Sequence, residues 1–234
     1  MKVTDLAPWQ LKMAGTGDGV CNILPDTAEA ERLRGLSHYE EALWADGIEF
    51  VAGLDEVGRG PIAGPVVVAA VILPPHLLLP GINDSKKLSP RKRYQLEEVI
   101  RRASIAWSLG AVGPHEIDQI NILEATKLAM CRAIKMLPVH PQHLLVDALE
   151  LPLPLPQTSI IKGDAQSISI GAASILAKCH RDRMMTVYDE LYPGYNLAKH
   201  AGYPTPEHKR AVWALGLSPI HRKSFTLKPP KGKE

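Results

Sequence analysis

Two apolar segments on either side of a glycine-rich turn constrain this chain most. IEFVAGLD, residues 48–55, and PVVVAAVIL, residues 65–73, are β-branched and almost unbroken in apolar character. A strand with one wet face alternates polar and apolar side chains, whereas one that does not alternate is covered on both faces. No crossover helix fits in the turn between them, which contains GRGPIAG, so antiparallel pairing is expected. The pattern points to an α/β fold with helices above and below a sheet.

The rest of the chain supplies those layers. Ser89 followed by Pro90 forms a helix start, serine as cap and proline at the first helical position, with the helix running to about 103. A strand over 104–112, two helices over 114–119 and 121–137, and a strand HLLVD over 143–147 follow. LELPLPLPQ is a proline-broken connection to a short strand over 158–164, and a long helix over about 166–190 comes next. The loop KHAGYPT and a helix over 206–215 complete the pattern. Ahead of the sheet, residues 26–47 carry Leu33, Leu36, Tyr39, Leu43 and Trp44 at helical spacing, interrupted at Gly35. They read as a helical extension docked on the main domain, which spans 48–226. Residues 1–25 lack periodicity and are expected to be poorly ordered, and 227–234 form a basic tail. Early strands are expected to pair antiparallel and later ones parallel, giving a mixed five-stranded sheet.

Composition narrows the partners only a little. The formal net charge is +2 in 234 residues, so any basic surface is local. Cys21, Cys131 and Cys179 show no pairing logic, no signal-peptide core is present, and no apolar run reaches membrane length. The expectation is a cytoplasmic monomer with no membrane contact.

The chemistry lies in acids at strand ends. Asp55 and Glu56 close the first strand, Asp147 closes HLLVD, and Asp164 closes the fifth strand. Ligands bind at the carboxyl ends of strands in open sheets, and parallel strands would bring Asp55 and Asp147 together. Four carboxylates without cysteine or histidine at ligand spacing form an oxygen-only site, suited to Mg²⁺ or Mn²⁺. Cations also offset the repulsion that makes adjacent buried acids costly. Two such ions about 3.5–4 Å apart clamp an in-line displacement at phosphorus. Asp55 and Glu56 should point to opposite faces, so they share a site only if the strand ends there or Glu56 lends its carbonyl.

Basic and glycine-rich loops surround these acids in the sequence. Gly58, Arg59 and Gly60 could form a backbone nest for a phosphate. Lys86 and Lys87 in NDSKKLS, Lys178 in ASILAK, and His221, Arg222 and Lys223 in HRKSF add positive charge. Tyr203, beside Lys199 and His200, could stack on a base or sugar, or could simply anchor its loop. An acidic metal site ringed by basic loops suits a nucleic-acid backbone.

These segments closely resemble the bacterial ribonuclease HII family. VAGLDEVGRGPIAGPVVVAAVIL, NDSKKLS, HEID, NIL, LLVDA, IIKGDA, AASILAK followed by RD, KHAGYPT and HRKSF occur in family order over about 49–226. The resemblance implies a ribonuclease H-like fold and metal-dependent endonucleolytic cleavage of RNA in RNA–DNA hybrids. It further implies incision 5′ of single ribonucleotides embedded in duplex DNA. It maps the four carboxylates to Asp55, Glu56, Asp147 and Asp164, and junction sensing to Gly58, Arg59, Gly60 and Tyr203. Attack by metal-activated water would leave 3′-hydroxyl and 5′-phosphate ends. Ala148 and Leu149 stand where many relatives have glycine and a polar residue. Ribonuclease HIII shares the fold and acids but generally lacks the arginine and carries a longer N-terminal domain, so Arg59 and the short extension favour HII. A non-catalytic relative would have lost a carboxylate, and an integrase-like enzyme would lack the DEVGRG and KHAGYPT pairing.

Overall fold

The computed structural model describes residues 27–227 apart from 84 and 86. Residues 1–26 and 228–234, with Asp84 and Lys86, lie outside it, so the expectations about 1–25, the basic tail and Lys86 fall outside the described residues. Helices α1 (Thr27–Leu36) and α2 (His38–Ala45) precede strands β1 (Val51–Val57) and β2 (Val66–Ile72). Then come α3 (Pro90–Ala103), β3 (Ala106–Val112), α4 (Pro114–Met136), β4 (His143–Asp147) and β5 (Gln157–Ile160). A 3₁₀ turn, Gly163–Ala165, leads into α5 (Ile168–Leu191), followed by the single turn α6 (Leu197–His200) and α7 (Pro206–Leu215).

The sheet has the order β3-β2-β1-β4-β5. The pairs β1–β2 and β2–β3 are antiparallel, and β1–β4 and β4–β5 are parallel. Two expectations about connections give way here. β3 follows a helix yet runs antiparallel to β2. β5 runs parallel to β4 with no helix between them, because the proline-broken segment makes the crossover. Gln157 steadies that segment, accepting from Leu151 N at 2.8 Å and donating to Leu151 O at 2.9 Å. The segment begins at Ala148, whose φ of +51° lies in the left-handed region that glycine adopts without strain.

β2 explains why both flanking strands read as continuously apolar. Val67, Ala69 and Val71 face one core with α1, α3 and α5, while Val66, Val68, Ala70 and Ile72 face another with α4. Ser89 caps α3 as the sequence predicts, accepting from Lys92 N at 3.3 Å. The two helices expected after β3 form one element broken at Asn121, with φ +68° and ψ +166°, whose side chain caps the second half. The N-terminal helix divides at Ser37, two residues past Gly35. Leu33 and Leu36 enter the α5 core, while Tyr39, Leu43 and Trp44 pack against Val51, Leu145, Ile160 and Ile170. Glu40 fastens α2 to the start of α5, its Oε1 accepting from the Ser167 hydroxyl and from Ser169 N at 3.0 Å.

Candidate active site

Leu54 pairs with Val146 at the end of the β1–β4 ladder, which brings Asp55 and Asp147 to neighbouring positions. One carboxylate oxygen from each of Asp55, Glu56 and Asp147 lies within 4.8 Å of the others. The strand does not stop at Glu56: it continues to Val57, paired with β2 alone, because β4 ends at Asp147. The open side of β1 past Leu54 lets side chains from both faces lean toward Asp147. Alternation therefore does not separate the adjacent acids.

Each acid is held differently. Asp55 is buried, and burial pushes its pKa well up, with the neighbouring Glu56 and Asp147 charges adding to the rise. The Ser174 hydroxyl hydrogen-bonds it in the opposite sense, and Glu56 N donates to its Oδ1 at 2.7 Å. Burial raises the Glu56 carboxyl too, against a lowering by Arg59, whose Nη1 stands 3.3 Å from Oε1. Asp147 Oδ1 accepts from Gly163 N at 2.7 Å. Glu56 Oε2 is buried without a hydrogen-bond partner. An orphaned acceptor beside two further carboxylates is an oxygen-only donor set, and it fits a hard divalent cation.

Asp164 requires a correction. β5 ends at Ile160, and Asp164 sits in the 3₁₀ turn that follows Lys162, a residue with φ +57°. It is not a strand-end acid, and it lies outside the group of three. The Asp147–Gly163 bond nonetheless ties its turn to the site.

The Gly58–Gly64 turn is built from inside by two arginines that sequence reasoning passed over or misread. Gly58 and Gly64 have φ of +99° and +83°. Arg222 donates to the carbonyls of Gly58, Arg59, Pro61 and Gly64. Arg181 donates to those of Pro65, Ala63 and Ala201. Both are fully buried, and burial pushes their guanidinium pKa values down, to about 9 for Arg222 and about 10 for Arg181. Arg222 and His221 are thus internal, not members of a basic outer ring, and His200 is buried as well. Arginine suits such a place because its rigid fork spans several carbonyls at once. The only signal available was position, an arginine after AASILAK and another in HRKSF.

Tyr203 meets this turn. A Cβ built on Gly60 would lie 3.4 Å from Tyr203 Cε1, and Ile62 N donates to Gly202 O at 2.9 Å. Tyr203 is 41% exposed and the Arg59 side chain 42%, so both reach the surface from one ledge. On the other flank, Ser85 of NDSKKLS bonds Ser174 at 2.9 Å. Since Ser174 donates to Asp55, Ser85 donates to Ser174, and the loop is wired to the buried acid. Arg93 holds the same loop through the carbonyls of Ser85 and Leu88. Lys87 is exposed, whereas Lys178 is half-buried and pairs with Asp182 at 2.6 Å.

A mixed five-stranded sheet flanked by helices, with carboxylates on its two central strands, defines a ribonuclease H-like enzyme fold. Solved structures agree. The ribonuclease H2 from Pyrococcus horikoshii OT3 superposes with a TM-score of 0.63 at 29% identity, over 75% of this chain and 93% of its own. The protein in the PCNA:RNase HII complex from Archaeoglobus fulgidus gives 0.63 at 26% identity, over 78% and 98%. Bst-RNase HIII in complex with Mn²⁺ shares the fold, with a TM-score of 0.53 at 18% identity, over 86% and 69%. In sequence, ribonuclease HII of Bacillus cereus (strain Q1) is 54% identical over 197 residues, 84% of this chain and 77% of that protein. Ribonuclease HII of Bacillus thuringiensis (strain Al Hakam) is 55% identical over the same shares. The family model described as Ribonuclease HII matches residues 52–228, and the chain belongs to that family of ribonuclease H enzymes.

Proposed function

We propose that this chain cleaves the RNA strand of RNA–DNA hybrids and incises 5′ of single ribonucleotides in duplex DNA, leaving 3′-hydroxyl and 5′-phosphate ends. The observation that carries the reading is the meeting of Asp55, Glu56 and Asp147 beside the ledge of Gly60 and Tyr203. Asp55, Glu56 and Asp147 would hold divalent cations, Mg²⁺ or Mn²⁺, with Asp164 joining from its turn. Bound there, the cations would activate water and stabilise the leaving oxygen.

The protein's own residues do the rest. Gly58, Arg59 and Gly60 offer backbone and guanidinium donors to the ribose 2′-hydroxyl, the group that distinguishes the two sugars. Tyr203 packs on the following deoxyribose, so the pair reads an RNA-to-DNA step. Lys87 and Lys178 meet phosphates on the other flank, and Lys86, next to Lys87 in the sequence, is assigned the same role. We assign the enzyme to the cytoplasm as a monomer. Two facts are compatible with this: Cys131 and Cys179 are free thiols, and no helix among the described residues is long and apolar enough to cross a membrane.

The test is incubation with a DNA duplex containing one ribonucleotide, with Mg²⁺, with Mn²⁺ and with a chelator. Metal-dependent incision at that position with 3′-hydroxyl ends is expected. A 2′,3′-cyclic phosphate product would remove the water-attack chemistry. Cleavage of continuous hybrids alone would return the chain to a ribonuclease HIII-like activity.

A further inference from the structure

Tyr203 stands on a hook between α6 and α7. Its N–H donates to His200 O at 2.9 Å, and its carbonyl accepts from Thr205 N at 2.8 Å. Beneath the hook lie three buried histidines, His200, His208 and His221. Their hydrogen bonds have one consistent direction. Ser218 N–H donates to His221 Nδ1 at 3.0 Å, so the proton of a neutral His221 ring sits on Nε2. That Nε2 is 3.0 Å from His208 Nε2, which accepts. The His208 proton therefore sits on Nδ1, 2.9 Å from the Tyr203 carbonyl. The Ser218 hydroxyl, 2.7 Å from the same Nδ1, can serve either direction. The order is therefore set by the donor-only amide beside it and by the acceptor-only Tyr203 carbonyl at the other end, which leaves a reversed chain with a lone pair facing a carbonyl.

The surroundings favour this neutral chain. His208 lies in the first turn of α7, where the helix dipole disfavours a cation. Its ring stacks on His200 with centroids 4.2 Å apart. His200 Nδ1 accepts from Gly202 N at 3.2 Å, and its Nε2 donates to Tyr195 O at 2.8 Å.

We propose that His208 and His221 are positioning residues for substrate recognition, a tautomer-fixed relay from the Ser218 amide to the Tyr203 carbonyl that sets the Tyr203 ring over Gly60. This rests on the reading that Tyr203 touches the nucleic acid. Neither histidine meets substrate. Both act through the backbone of the tyrosine.

Asparagine and glutamine separate this role from bulk packing. Asn at 208 keeps a donor near Nδ1, whereas Gln moves its amide toward Nε2 and abandons the Tyr203 carbonyl. On a duplex with one ribonucleotide, His208→Gln is expected to raise KM about tenfold, the scale of one lost buried hydrogen bond, with kcat changed less than about twofold. His208→Asn should recover most of that loss. In a Tyr203→Ala background, His208→Gln should add nothing. Equal losses for Asn and Gln, or full additivity with Tyr203→Ala, would overturn the proposal in favour of a merely structural cluster. If Tyr203→Ala alone leaves KM unchanged, the reading of Tyr203 fails and the relay's function fails with it. If Tyr203→Ala raises KM and His208→Gln does not, only the relay fails. Nitrogen-15 histidine spectra of the unaltered protein test the geometry directly. They should show His208 protonated at Nδ1 and His221 at Nε2, and the opposite pair of tautomers would overturn the relay.

Discussion

Asp147 Oδ1 accepts the backbone N–H of Gly163 at 2.7 Å, so the acid that ends β4 also anchors the turn carrying Asp164. The two jobs respond differently to substitution. An asparagine at 147 keeps an acceptor for Gly163 and removes the charge. Cleavage should fall by several orders of magnitude while the melting temperature stays within about 2 °C of the unaltered protein. Asp147→Ala should lose both. Thermal melts beside single-turnover cleavage separate the effects. A large loss of stability in Asp147→Asn would mean that its charge, not its hydrogen bond, holds the turn.

Gly53 has no room for a side chain. A Cβ there would lie 2.2 Å from the Ser169 carbonyl carbon and 2.4 Å from Ile170 N, both backbone atoms of α5. Gly53→Ala must push the helix off the sheet, at a cost of about 3 kcal/mol or more. Because Asp55 lies two residues on and bonds Ser174 of the same helix, cleavage should fall as well. Denaturant unfolding measures the first effect, and an unchanged midpoint would contradict the packing.

Arg222 offers a test between two kinds of arginine. A phosphate-binding arginine contributes to the salt dependence of nucleic-acid binding, with a slope change of about one per contact. Arg222 is buried beneath the Gly58–Gly64 turn, so Arg222→Lys should lower stability by about 3 kcal/mol through unmet carbonyls. The salt slope of duplex binding should not change. A shallower slope with unaltered stability would put Arg222 back on the outer surface.

Acid should loosen the histidine cluster. Burial holds His221 down at about 4, with the His208 ring acting in the same direction. An unfolded histidine titrates near about 6.5, so the unfolded chain takes up the proton first. The contribution of the neutral ring to stability is therefore full above about 6.5 and is lost as pH falls toward about 4. Melting temperatures of the unaltered protein and His221→Asn should converge over that window. Titrating groups remote from His221 are common to both chains and cancel, while His208, in contact with it, titrates with it as one cluster. Parallel curves would show that His221 is not held neutral.

The N-terminal helices contribute to stability through a few buried contacts. A chain lacking its first 47 residues loses Leu33 and Leu36, both buried, and the Glu40 bonds to the start of α5. Each fully buried leucine represents about 1.5–3 kcal/mol. Calorimetry should show a drop of several degrees. An unchanged transition would mean that the helices do not dock in solution.

The strand pattern and three of the site acids were legible in the sequence because they follow from local periodicity. Unbroken apolar runs report burial on two faces, and Asp55 and Asp147 sit at fixed offsets from them. Parallel pairing then brings the two acids together. Periodicity could not show that Asp55 and Glu56 converge from opposite faces. That follows from β4 stopping short and leaving one side of β1 open. Nor could it show that Asp164 leaves the strand, since a left-handed Lys162 and a 3₁₀ turn are settled by how α5 packs on the sheet.

The buried arginines and histidines show most clearly what sequence alone leaves undetermined. Local sequence gives the charge of Arg222, but the carbonyls that surround it lie some 160 positions away, at Gly58 to Gly64. His208, His221 and Tyr203 likewise come together only when α7 folds over its hook. Residue type determined which groups could donate, accept or carry charge. Only the tertiary structure decided whether water or protein supplied their partners, because that choice depends on contacts between segments far apart in the chain.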